Sequence, residues 1–532
     1  MKVSTFDCTH ISNDIPYMST VRSNVRISVL GSIDAGKSTL LGVMTSGNLD
    51  DGAGKARQSI ARFPHERATG KTSSVTHHSM GYALIGETKE EEKTARIRNF
   101  CPIFNTCKVS DSAAVKSMAW KKMTEQSEHV IDFNDNPGHA AYSSTAIHGL
   151  ITNFADYAML VVNSSKGIGP MTKEHWGVIS ALQIPLIVIM TKMDLVPVDT
   201  YKFNRERLDK YMKNAGRKAF SLNCKEDVAK IFNEDPFLTK WSPIVSVSVK
   251  EGVHKNVDVL HHFLSNLRPI LVEEWKFASG EGEILKINQF AVNASFQVPN
   301  TGLVVSGVVV SGTVQAKTKM WLGPILGVNK EYGVVLQHEK LELPYHFLPV
   351  ELRSIHKNRQ IIETPLEFGS NCAIAIQEVN KKYKLRRHQL YSGVFLLEEH
   401  KLFESSLPRV STVFEANVQV LHHSTSIQCG FQSVLFINAI RQAAKILQIK
   451  SLETNDNVLM LRSSDKANVL FQFLKHPALL HCGQHFVCRE SHTKLSAVVT
   501  KIAFTSAELE LIYSHFQISK HAQKQIRREM KQ

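Results

Sequence analysis

Residues 31–38 constrain the fold more than any other stretch, because they read GSIDAGKS and follow a short run that alternates as a strand does. Glycines at the first and sixth positions let successive backbone N–H groups point inward at a phosphate. Lys37 is placed to reach β- and γ-phosphates, and the Ser38 hydroxyl to bind Mg²⁺. The apolar residues that follow predict a helix whose positive end faces the same phosphates. The predicted phosphate-side residues are Gly31, Ser32, Ile33, Asp34, Ala35, Gly36, Lys37, Ser38 and Thr39.

The composition is that of a multidomain globular protein. With 532 residues, 43% of them apolar and 21% charged, the chain is expected to hold about three domains. No stretch approaches the roughly 18 uncharged apolar residues of a membrane span, and the polar residues 5–14 lack the apolar core of a secretory signal. Eight cysteines without regular spacing indicate reduced thiols. We therefore expect a cytoplasmic protein without a membrane partner.

The formal net charge of +14 favours a polyanionic partner, because Lys and Arg that neutralise phosphates gain from counterion release. A solvated basic surface without a partner explains the charge equally well. The end of the chain predicts a short basic helix or a disordered arm, with its charges at Lys520, Lys524, Arg527, Arg528 and Lys531.

A turn-rich piece at residues 48–54 is followed by a basic stretch that ends in HERATGKTSS at residues 65–74, which predicts a mobile loop. A nucleotide-gated switch needs a threonine in such a loop, so that its hydroxyl and carbonyl close over Mg²⁺ and the γ-phosphate. Thr72 is our candidate, and an ordinary polar surface loop is the alternative. Residues 87–126 begin with a charged run and predict a solvated insertion or hairpin.

A second phosphate-side motif, DNPGH at residues 135–139, follows a predicted strand at residues 129–134. Asp135 is placed at the strand end to hold Mg²⁺ through water, and Gly138 lets the backbone N–H approach the γ-phosphate. His139 comes next, where an imidazole can orient an attacking water. A purely structural histidine is the alternative.

Two continuous apolar runs, at residues 157–162 and 185–190, are typical of strands that are buried on both faces of a parallel sheet. A predicted helix at residues 172–182 lies between them. A third strand at residues 243–247 and a helix at residues 257–267 complete this pattern. Ligands of such open α/β sheets bind where the strands end.

Base-recognition residues are predicted at the ends of two of these strands. Asp194 accepts two hydrogen bonds from the N1–H and N2–H₂ donors of guanine, whereas adenine presents an acceptor at N1 and would repel it. GTP is therefore the expected nucleotide. Backbone N–H groups after the next strand are expected to hold the guanine O6. The predicted base-side residues are Thr191, Lys192, Asp194, Ser248, Val249 and Lys250.

From about residue 285 the pattern changes to short alternating strands separated by turns, first to residue 397 and again over residues 410–504. These two blocks predict β-barrels or sandwiches. Residues 431–447 fit a helix as well as a strand by periodicity alone.

Taken in order, the phosphate loop, the loop threonine, Asp-x-Pro-Gly-His, Thr-Lys-x-Asp and Ser-x-Lys, followed by two β blocks, resemble the translational GTPase superfamily of elongation factor Tu and elongation factor 1-alpha. Residues 25–75 and 171–175 are more similar to its GTP-binding protein 1 subfamily. The resemblance implies an α/β P-loop GTPase domain followed by two β-barrel domains. The implied boundaries are 24–270 for the GTPase domain, 283–402 and 408–505 for the barrels, and 506–532 for a basic C-terminal tail.

The resemblance further implies that the protein binds GTP and GDP and hydrolyses GTP with Mg²⁺, with barrels that move against the first domain as the nucleotide changes. Two positions depart from the family pattern. Thr191 stands where Asn is usual and offers only a hydroxyl, and Lys71 stands where an apolar residue commonly gates the histidine, opposite Ile33. Carried over by motif, the catalytic residues are His139, Thr72 and Lys37, the Mg²⁺ residues are Ser38, Thr72 and Asp135, and the base residues are Lys192, Asp194 and Ser248.

The implied partner is a ribosome, tRNA or another RNA. Two alternatives stay open, namely a nucleotide-gated RNA- or ribosome-binding module with vestigial hydrolysis, and a factor that acts in RNA turnover instead of peptide elongation. A structural metal site is a further alternative, and a strand would turn its histidine at position 485 away from its cysteines. The residues of that site are Cys482, His485, Cys488 and His492.

Overall fold

The structure, a computed structural model, consists of an α/β unit, two β-barrels and a helical tail. It describes residues 23–61, 63–70, 72–85, 98–104, 113–270, 277–278, 284–285, 288–326, 345–357, 360–380, 384–390, 393–398, 409–421, 426–490, 493–502 and 506–531.

The α/β unit is built on one eight-stranded sheet. Its strands are β1 (Ser23–Gly31), β2 (Thr76–Leu84), β3 (Phe100–Ile103), β4 (His129–Asp135), β5 (Tyr157–Asn163), β6 (Leu186–Thr191), β7 (Lys218–Leu222) and β8 (Trp241–Ser246). Its helices are α1 (Lys37–Ser46), α2 (Lys55–Ile60), α3 (Pro64–Thr69), α4 (Ala113–Gln126), α5 (Ser143–Thr152), α6 (Pro170–Ala181), α7 (Val198–Asn214), α8 (Lys225–Glu234) and α9 (Val257–Ser265). The strand order is β3-β2-β4-β1-β5-β6-β8-β7.

The apolar runs of β5 and β6 are buried along their whole length, as the sequence predicts. Because side chains alternate between the faces of a strand, Met159 and Val161 join the core on one side of the sheet, and Leu160 and Val162 the core on the other. β1 pairs in parallel with β4 and β5, and β6 pairs in parallel with β5 and β8. The loops after β1, β4, β6 and β8 therefore leave the sheet at one edge.

The segment between α1 and β2 is not one loop, because it contains α2 and α3. α3 begins at Pro64, whose ring fixes a helical φ, and Glu66 accepts a hydrogen bond of 3.3 Å from the Phe63 backbone N–H. Gly70, at φ +69°, ends the helix in the left-handed region. The predicted loop is wrong over residues 65–69, since this capping outweighs the polar composition.

The predicted insertion at residues 87–126 is partly helical and packed. β3 extends the sheet edge by pairing antiparallel with β2. α4 packs on β2, where Met123 is buried and a Cβ on Gly81 would collide with the Ser127 side chain. The consecutive strands β2 and β3 form the predicted hairpin, and most described α4 side chains are exposed or half-buried. The prediction of a solvated face is wrong only where α4 packs on β2, as at Met123. Residues 86–97 and 105–112 lie outside the described residues.

Each of the two β blocks closes into a six-stranded barrel. The first contains β11 (Gln289–Val298), β12 (Gly302–Ser311), β14 (Lys319–Leu326), β15 (Tyr345–Lys357), β18 (Asn371–Glu378) and β19 (Phe395–Leu397), with short strands β13 (Thr313–Val314), β16 (Gln360–Ile362) and β17 (Leu366–Glu367) beside it. Its ring runs β14-β19-β11-β12-β18-β15 and closes through antiparallel pairing of β15 with β14. Two short strands that precede the barrel in the chain, β9 (Phe277–Ala278) and β10 (Ile284–Leu285), pair with each other.

The second barrel contains β21 (Val413–Val420), β23 (Gln432–Ile437), β24 (Ile440–Ser451), β26 (Lys466–Phe473), β28 (His485–Arg489) and β29 (Thr493–Ile502), with short strands β20 (Arg409–Ser411), β22 (Ile427–Gln428), β25 (Met460–Leu461) and β27 (Ala478–Leu480) beside it. Its ring runs β21-β26-β24-β23-β28-β29. The helical alternative for residues 431–447 is wrong, because β23 and β24 form a hairpin. Ala444 and Ile446 lie in the core with a less buried residue between them, which is the period of a strand.

The three units meet at the end of α5. Phe154, two residues beyond this helix, packs against Phe395 of the first barrel and Ala439 of the second within one apolar cluster. Asn293 of the first barrel donates a hydrogen bond of 3.1 Å to the Thr152 carbonyl. α5 therefore leads from the His139 motif to both barrels.

The tail is helical, with α10 (Ser506–His515) and α11 (Lys520–Lys531). Leu509 and Tyr513 of α10 and Ile526 of α11 pack on Leu470 of the second barrel. Of the two alternatives for the tail, the helix is the one observed. No described helix has the length and apolarity that a membrane crossing requires.

Candidate nucleotide-binding site

The predicted phosphate loop connects β1 to the N-terminus of α1. Gly31 has φ +151°, and a Cβ there would collide with the Val161 carbonyl oxygen. Gly36, at φ +89°, stands directly before α1. These backbone conformations need glycine, so the two glycines of the motif are explained by the geometry. The nine predicted phosphate-side residues follow one another through this turn and into the first turn of α1.

Lys37 lies across the phosphate loop. Its Nζ donates hydrogen bonds of 3.1 Å and 3.0 Å to the carbonyl oxygens of Gly31 and Ser32. Burial lowers the pKa of the Lys37 ammonium, while the Asp135 and Asp34 carboxylates oppose that shift. A Cβ on Gly138 would collide with Nζ, so the DNPGH motif contacts the lysine directly.

The hydroxyls of Ser38 and Thr72 form a chain to the Asp135 carboxylate. Ser38 Oγ donates to Asp135 Oδ2 at 2.6 Å and lies 2.9 Å from Thr72 Oγ1. Because a hydroxyl has one proton to donate, Thr72 is the donor to Ser38. The structure thus brings together the three residues of the predicted Mg²⁺ set, from three separate motifs.

The donor atoms of this set fit Mg²⁺. Asp135 Oδ1 is buried and has no hydrogen-bond partner in the described part of the chain. Burial raises the pKa of the Asp135 carboxyl to about 6, although Lys37 and the Ser38 hydroxyl oppose the shift. A buried carboxylate with a spare oxygen beside two hydroxyls is the oxygen-rich surrounding that a hard divalent cation prefers.

His139 caps a short 3₁₀ helix after β4. Its Nδ1 accepts a hydrogen bond of 3.1 Å from the Ala141 backbone N–H, and its ring centroid lies 6.0 Å from that of Tyr142. In the neutral ring, an accepting Nδ1 leaves the proton on Nε2. His139 therefore presents an N–H donor with its other nitrogen.

Asp194 and Ser248 meet at the ends of β6 and β8. The Ser248 hydroxyl donates to Asp194 Oδ1 at 2.7 Å. Lys192, at φ +60°, lies beside the phosphate loop, since a Cβ on Gly36 would lie 3.9 Å from its Cε. The predicted base side thus adjoins the phosphate side.

Thr191 supports the phosphate loop although it replaces the usual Asn. Its Oγ1 lies 2.6 Å from the Ala35 carbonyl oxygen and 3.3 Å from that of Val162. The single hydroxyl proton goes to the nearer oxygen, on Ala35. The Thr191 hydroxyl therefore braces the phosphate loop at Ala35.

The predicted use of the Ser248 N–H for guanine O6 is wrong, because this N–H donates to the Lys255 carbonyl at 3.2 Å. Of the three N–H groups that the sequence predicts to donate to guanine O6, those of Val249 and Lys250 remain candidates. The same loop is tied to the start of the segment between α1 and β2 (residues 47–75), which we call the switch segment, because the Asp50 N–H donates to the Val249 carbonyl at 3.0 Å.

Three functional candidates, Asp50, Arg57 and Glu66, are missed by motif reasoning. Asp50 is buried and accepts hydrogen bonds from the N–H groups of Gly52 and Ala56. Glu66 is also buried, and both Glu66 and Arg57 line the cavity beside Thr72. A buried acid in a polar stretch has no period or motif, so the sequence carries no signal for it.

The alternative metal site lacks support. Cys482 is exposed and Cys488 is buried, so the two thiols do not share one environment. No cluster of three or more His, Cys, Asp or Glu side chains suited to a metal is found among the described residues. His492 lies outside them, and so does Lys71, so the predicted gate opposite Ile33 is not described either.

The family comparison decides the class of the protein. The model of the elongation factor Tu GTP-binding domain matches residues 22–320, which is more than half of the chain. The chain belongs to the translational GTPase family. It is 31% identical to GTP-binding protein 1 of Xenopus laevis over 496 residues, which cover 92% of this chain and 64% of that protein. It is 30% identical to GTP-binding protein 2 of Mus musculus over 493 residues, covering 92% and 71%.

The chain thus spans less than two thirds of the length of GTP-binding protein 1. Its fold is similar to that of translation elongation factor SelB from Methanococcus maripaludis, solved in complex with the GTP analogue GppNHp. The TM-score is 0.53 at 15% identity, and the match covers 91% of this chain and 81% of that one. This translational GTPase therefore has the GTPase domain and the two barrels of an elongation factor.

Proposed function

We propose that the protein binds GTP with Mg²⁺ and hydrolyses it to GDP and phosphate as a conformational switch. The observation that carries this proposal is the hydroxyl chain from Thr72 through Ser38 to Asp135, at distances of 2.9 Å and 2.6 Å. It joins a switch threonine to the phosphate loop and to the DNPGH motif. A guanine-binding role fits the family of the domain, and hydrolysis is the further step that we propose.

Each residue has a separate role in this mechanism. Lys37 and the N–H groups of the phosphate loop neutralise and orient the phosphates. Ser38, Thr72 and Asp135 hold Mg²⁺, which when bound supplies charge neutralisation at the β- and γ-phosphates. His139 Nε2–H donates to the attacking water and orients it towards the γ-phosphorus. In phosphoryl transfer such positioning contributes most of the catalysis.

On the base side, we propose that Asp194 reads guanine. Its carboxylate accepts from N1–H and N2–H₂ while the Ser248 hydroxyl holds it in place. Lys192 lies between the base and the phosphate loop, and the N–H groups of Val249 and Lys250 donate to O6. The Thr191 hydroxyl braces the phosphate loop by donating to the Ala35 carbonyl.

The proposed site of action is translation or RNA metabolism in the cytoplasm, with a ribosome, tRNA or another RNA as partner. The net charge of +14 and the elongation factors among the similar proteins support this partner. We keep the domain boundaries 24–270, 283–402 and 408–505, with the tail at 506–532, as part of the proposal.

The test is the rate of GTP hydrolysis by the full chain with and without ribosomes. We expect slow hydrolysis alone and a large stimulation by ribosomes. GTP binding without hydrolysis under both conditions would favour the alternative, a nucleotide-gated RNA- or ribosome-binding module. Failure to bind GTP at all would overturn both.

A further inference from the structure

Arg57 of α2 has its guanidinium between two glycines of the switch segment. Gly54 and Gly70 have φ angles of +96° and +69°. A Cβ on Gly54 would lie 3.1 Å from Arg57 Nη2, and a Cβ on Gly70 would lie 2.7 Å from Cζ and collide with Nη1. A larger residue at Gly70 would displace the guanidinium, and one at Gly54 would press against it. The backbone of both glycines therefore lies close to this side chain.

Arg57 lines one cavity together with Ser38, Thr72 and Asp135. These are the residues that we propose to hold Mg²⁺ beside the γ-phosphate. Arg57 Nε is buried and has no hydrogen-bond partner within the described residues. A guanidinium carries five N–H donors, and a buried donor without an acceptor is unfavourable.

Both oxygens of Glu66 and one oxygen of Asp135 already accept hydrogen bonds from other donors, and Asp135 Oδ1 is the spare oxygen that we assign to Mg²⁺. Glu66 accepts from the Ser73 N–H at 2.9 Å, from the Ser73 hydroxyl at 2.9 Å and from the Phe63 N–H at 3.3 Å. These bonds, which outweigh its burial, keep the pKa of Glu66 below its usual value. Asp135 Oδ2 accepts from Ser38. Glu66 thus holds the switch segment in place, and the buried Nε of Arg57 is left without an acceptor among the described residues.

A terminal phosphate supplies the acceptors that this guanidinium lacks, since Arg binds phosphate oxygens in a bidentate way. GDP has no such group. We propose that Arg57 contacts the terminal phosphate of bound GTP and makes the protein discriminate GTP from GDP. This inference rests on the proposed function. Because Gly70 lies against the guanidinium and Thr72 follows two residues later, the same contact holds Thr72 over Ser38 when GTP is bound.

The test is an equilibrium titration of the full chain, in Mg²⁺, with fluorescent GppNHp and with fluorescent GDP. Arg57→Gln removes the charge while it keeps most of the side-chain volume. Arg57→Lys keeps the charge but lacks the planar guanidinium that binds two phosphate oxygens at once. Arg67→Gln is the matched control. Arg67 lies in the same segment, is exposed, and donates to the Ala61 carbonyl at 3.2 Å.

Arg57→Gln is expected to weaken GppNHp binding by about tenfold to a hundredfold and GDP binding by less than about threefold. Arg57→Lys restores only part of the GppNHp affinity. Gly70→Ala, which displaces the guanidinium without removing it, lowers the same selectivity. Arg67→Gln leaves it unchanged.

An equal loss for both nucleotides, or no loss, in variants that melt like the parent would overturn the assignment of Arg57 and leave it a packing residue. In that case the parent still binds GTP and the proposed function stands. A parent that binds neither nucleotide would refute the proposed function, and the role of Arg57 with it.

Discussion

The guanidinium of Arg489, on β28 of the second barrel, lies 3.2 Å from the carboxylate of Glu174 on α6, and the two side chains are only 14% and 10% exposed. Arg489 also donates a hydrogen bond to the hydroxyl of Ser143. Ser143 begins α5, directly after the 3₁₀ helix that His139 caps. One barrel arginine therefore contacts both helices that follow the proposed catalytic histidine.

Arg489→Ala is expected to lower the free energy of unfolding by about 3 kcal/mol, because it removes the guanidinium from a mostly buried ion pair with Glu174. Denaturant unfolding of the full chain measures the loss. Lys121→Ala is the control, since it breaks an exposed pair of 3.9 Å with Glu125 and should cost less than about 1 kcal/mol. Equal losses in the two variants would contradict a barrel anchor at Arg489.

Asp194→Asn is expected to weaken GTP binding by at least about a hundredfold, because an amide cannot accept both guanine donors. Binding of xanthosine triphosphate, which presents an oxygen at position 2, should improve. Competition titrations with the two nucleotides measure the change. Asp199→Asn, an exposed carboxylate on α7, serves as the control. Equal affinity of the parent for ATP and GTP would refute base reading by Asp194.

The sequence predicts the parts of the site that lie within one strand and its following turn. Lys37, Ser38 and Asp135 are of this kind, because a few residues of motif spacing fix their positions. Arg57 and Glu66 are different, since their contacts depend on how α2 packs against α1 and how α3 and the residues after it fold back towards α2. No local pattern records that packing.

The same reasoning applies to residues 431–447 and to His139. Over the hairpin, the apolar positions satisfy both a helical and a strand period, and only pairing with β28 and β26 selects the strands. His139 is recognised from its motif, but its Nδ1 bond to Ala141, and hence its proton on Nε2, follows from the 3₁₀ turn. Local spacing therefore gives residue identity, and tertiary contacts give orientation.

We expect the free energy of unfolding to fall in acid because of the buried His175 of α6. It is 1% exposed, and neither ring nitrogen has a hydrogen-bond partner among the described residues. Burial lowers the pKa of His175 to about 3, and the positive charges of Lys37 and Arg489 act in the same direction. The unfolded chain takes up a proton below about pH 6.5 that the folded protein does not. As the pH falls below about 6.5, this proton binding lowers the free energy of the unfolded state relative to that of the folded state. The free energy of unfolding therefore declines.

The expected loss is up to about 1.4 kcal/mol for each pH unit below about 6.5. Denaturant unfolding at a series of pH values measures it for the parent and for His175→Phe. The variant should show a shallower decline, and its difference from the parent near pH 8 reports packing alone. Identical slopes for the two proteins would assign the acid sensitivity to other groups.

The last prediction separates catalysis from binding at the γ-phosphate. His139 holds an N–H, and not a free acceptor, towards solvent, because its Nδ1 is occupied by the Ala141 N–H at 3.1 Å. Such a group orients water but is not set up to take its proton. Removing it should slow hydrolysis and leave the ground-state contacts of GTP intact. We therefore expect His139→Ala to bind GTP within about threefold of the parent affinity and to lose at least about 99% of the ribosome-stimulated rate.

Lys37→Ala is the matched comparison, because we propose that Lys37 contacts the phosphates of bound GTP before hydrolysis begins. Its Nζ lies within the phosphate loop, at the carbonyls of Gly31 and Ser32. This variant should lose GTP affinity itself. Nucleotide titrations and single-turnover hydrolysis, run side by side on both variants, resolve the two effects. A His139→Ala protein that hydrolyses GTP at the parent's stimulated rate would show that the imidazole only caps the 3₁₀ turn. The water would then be oriented by a group other than His139.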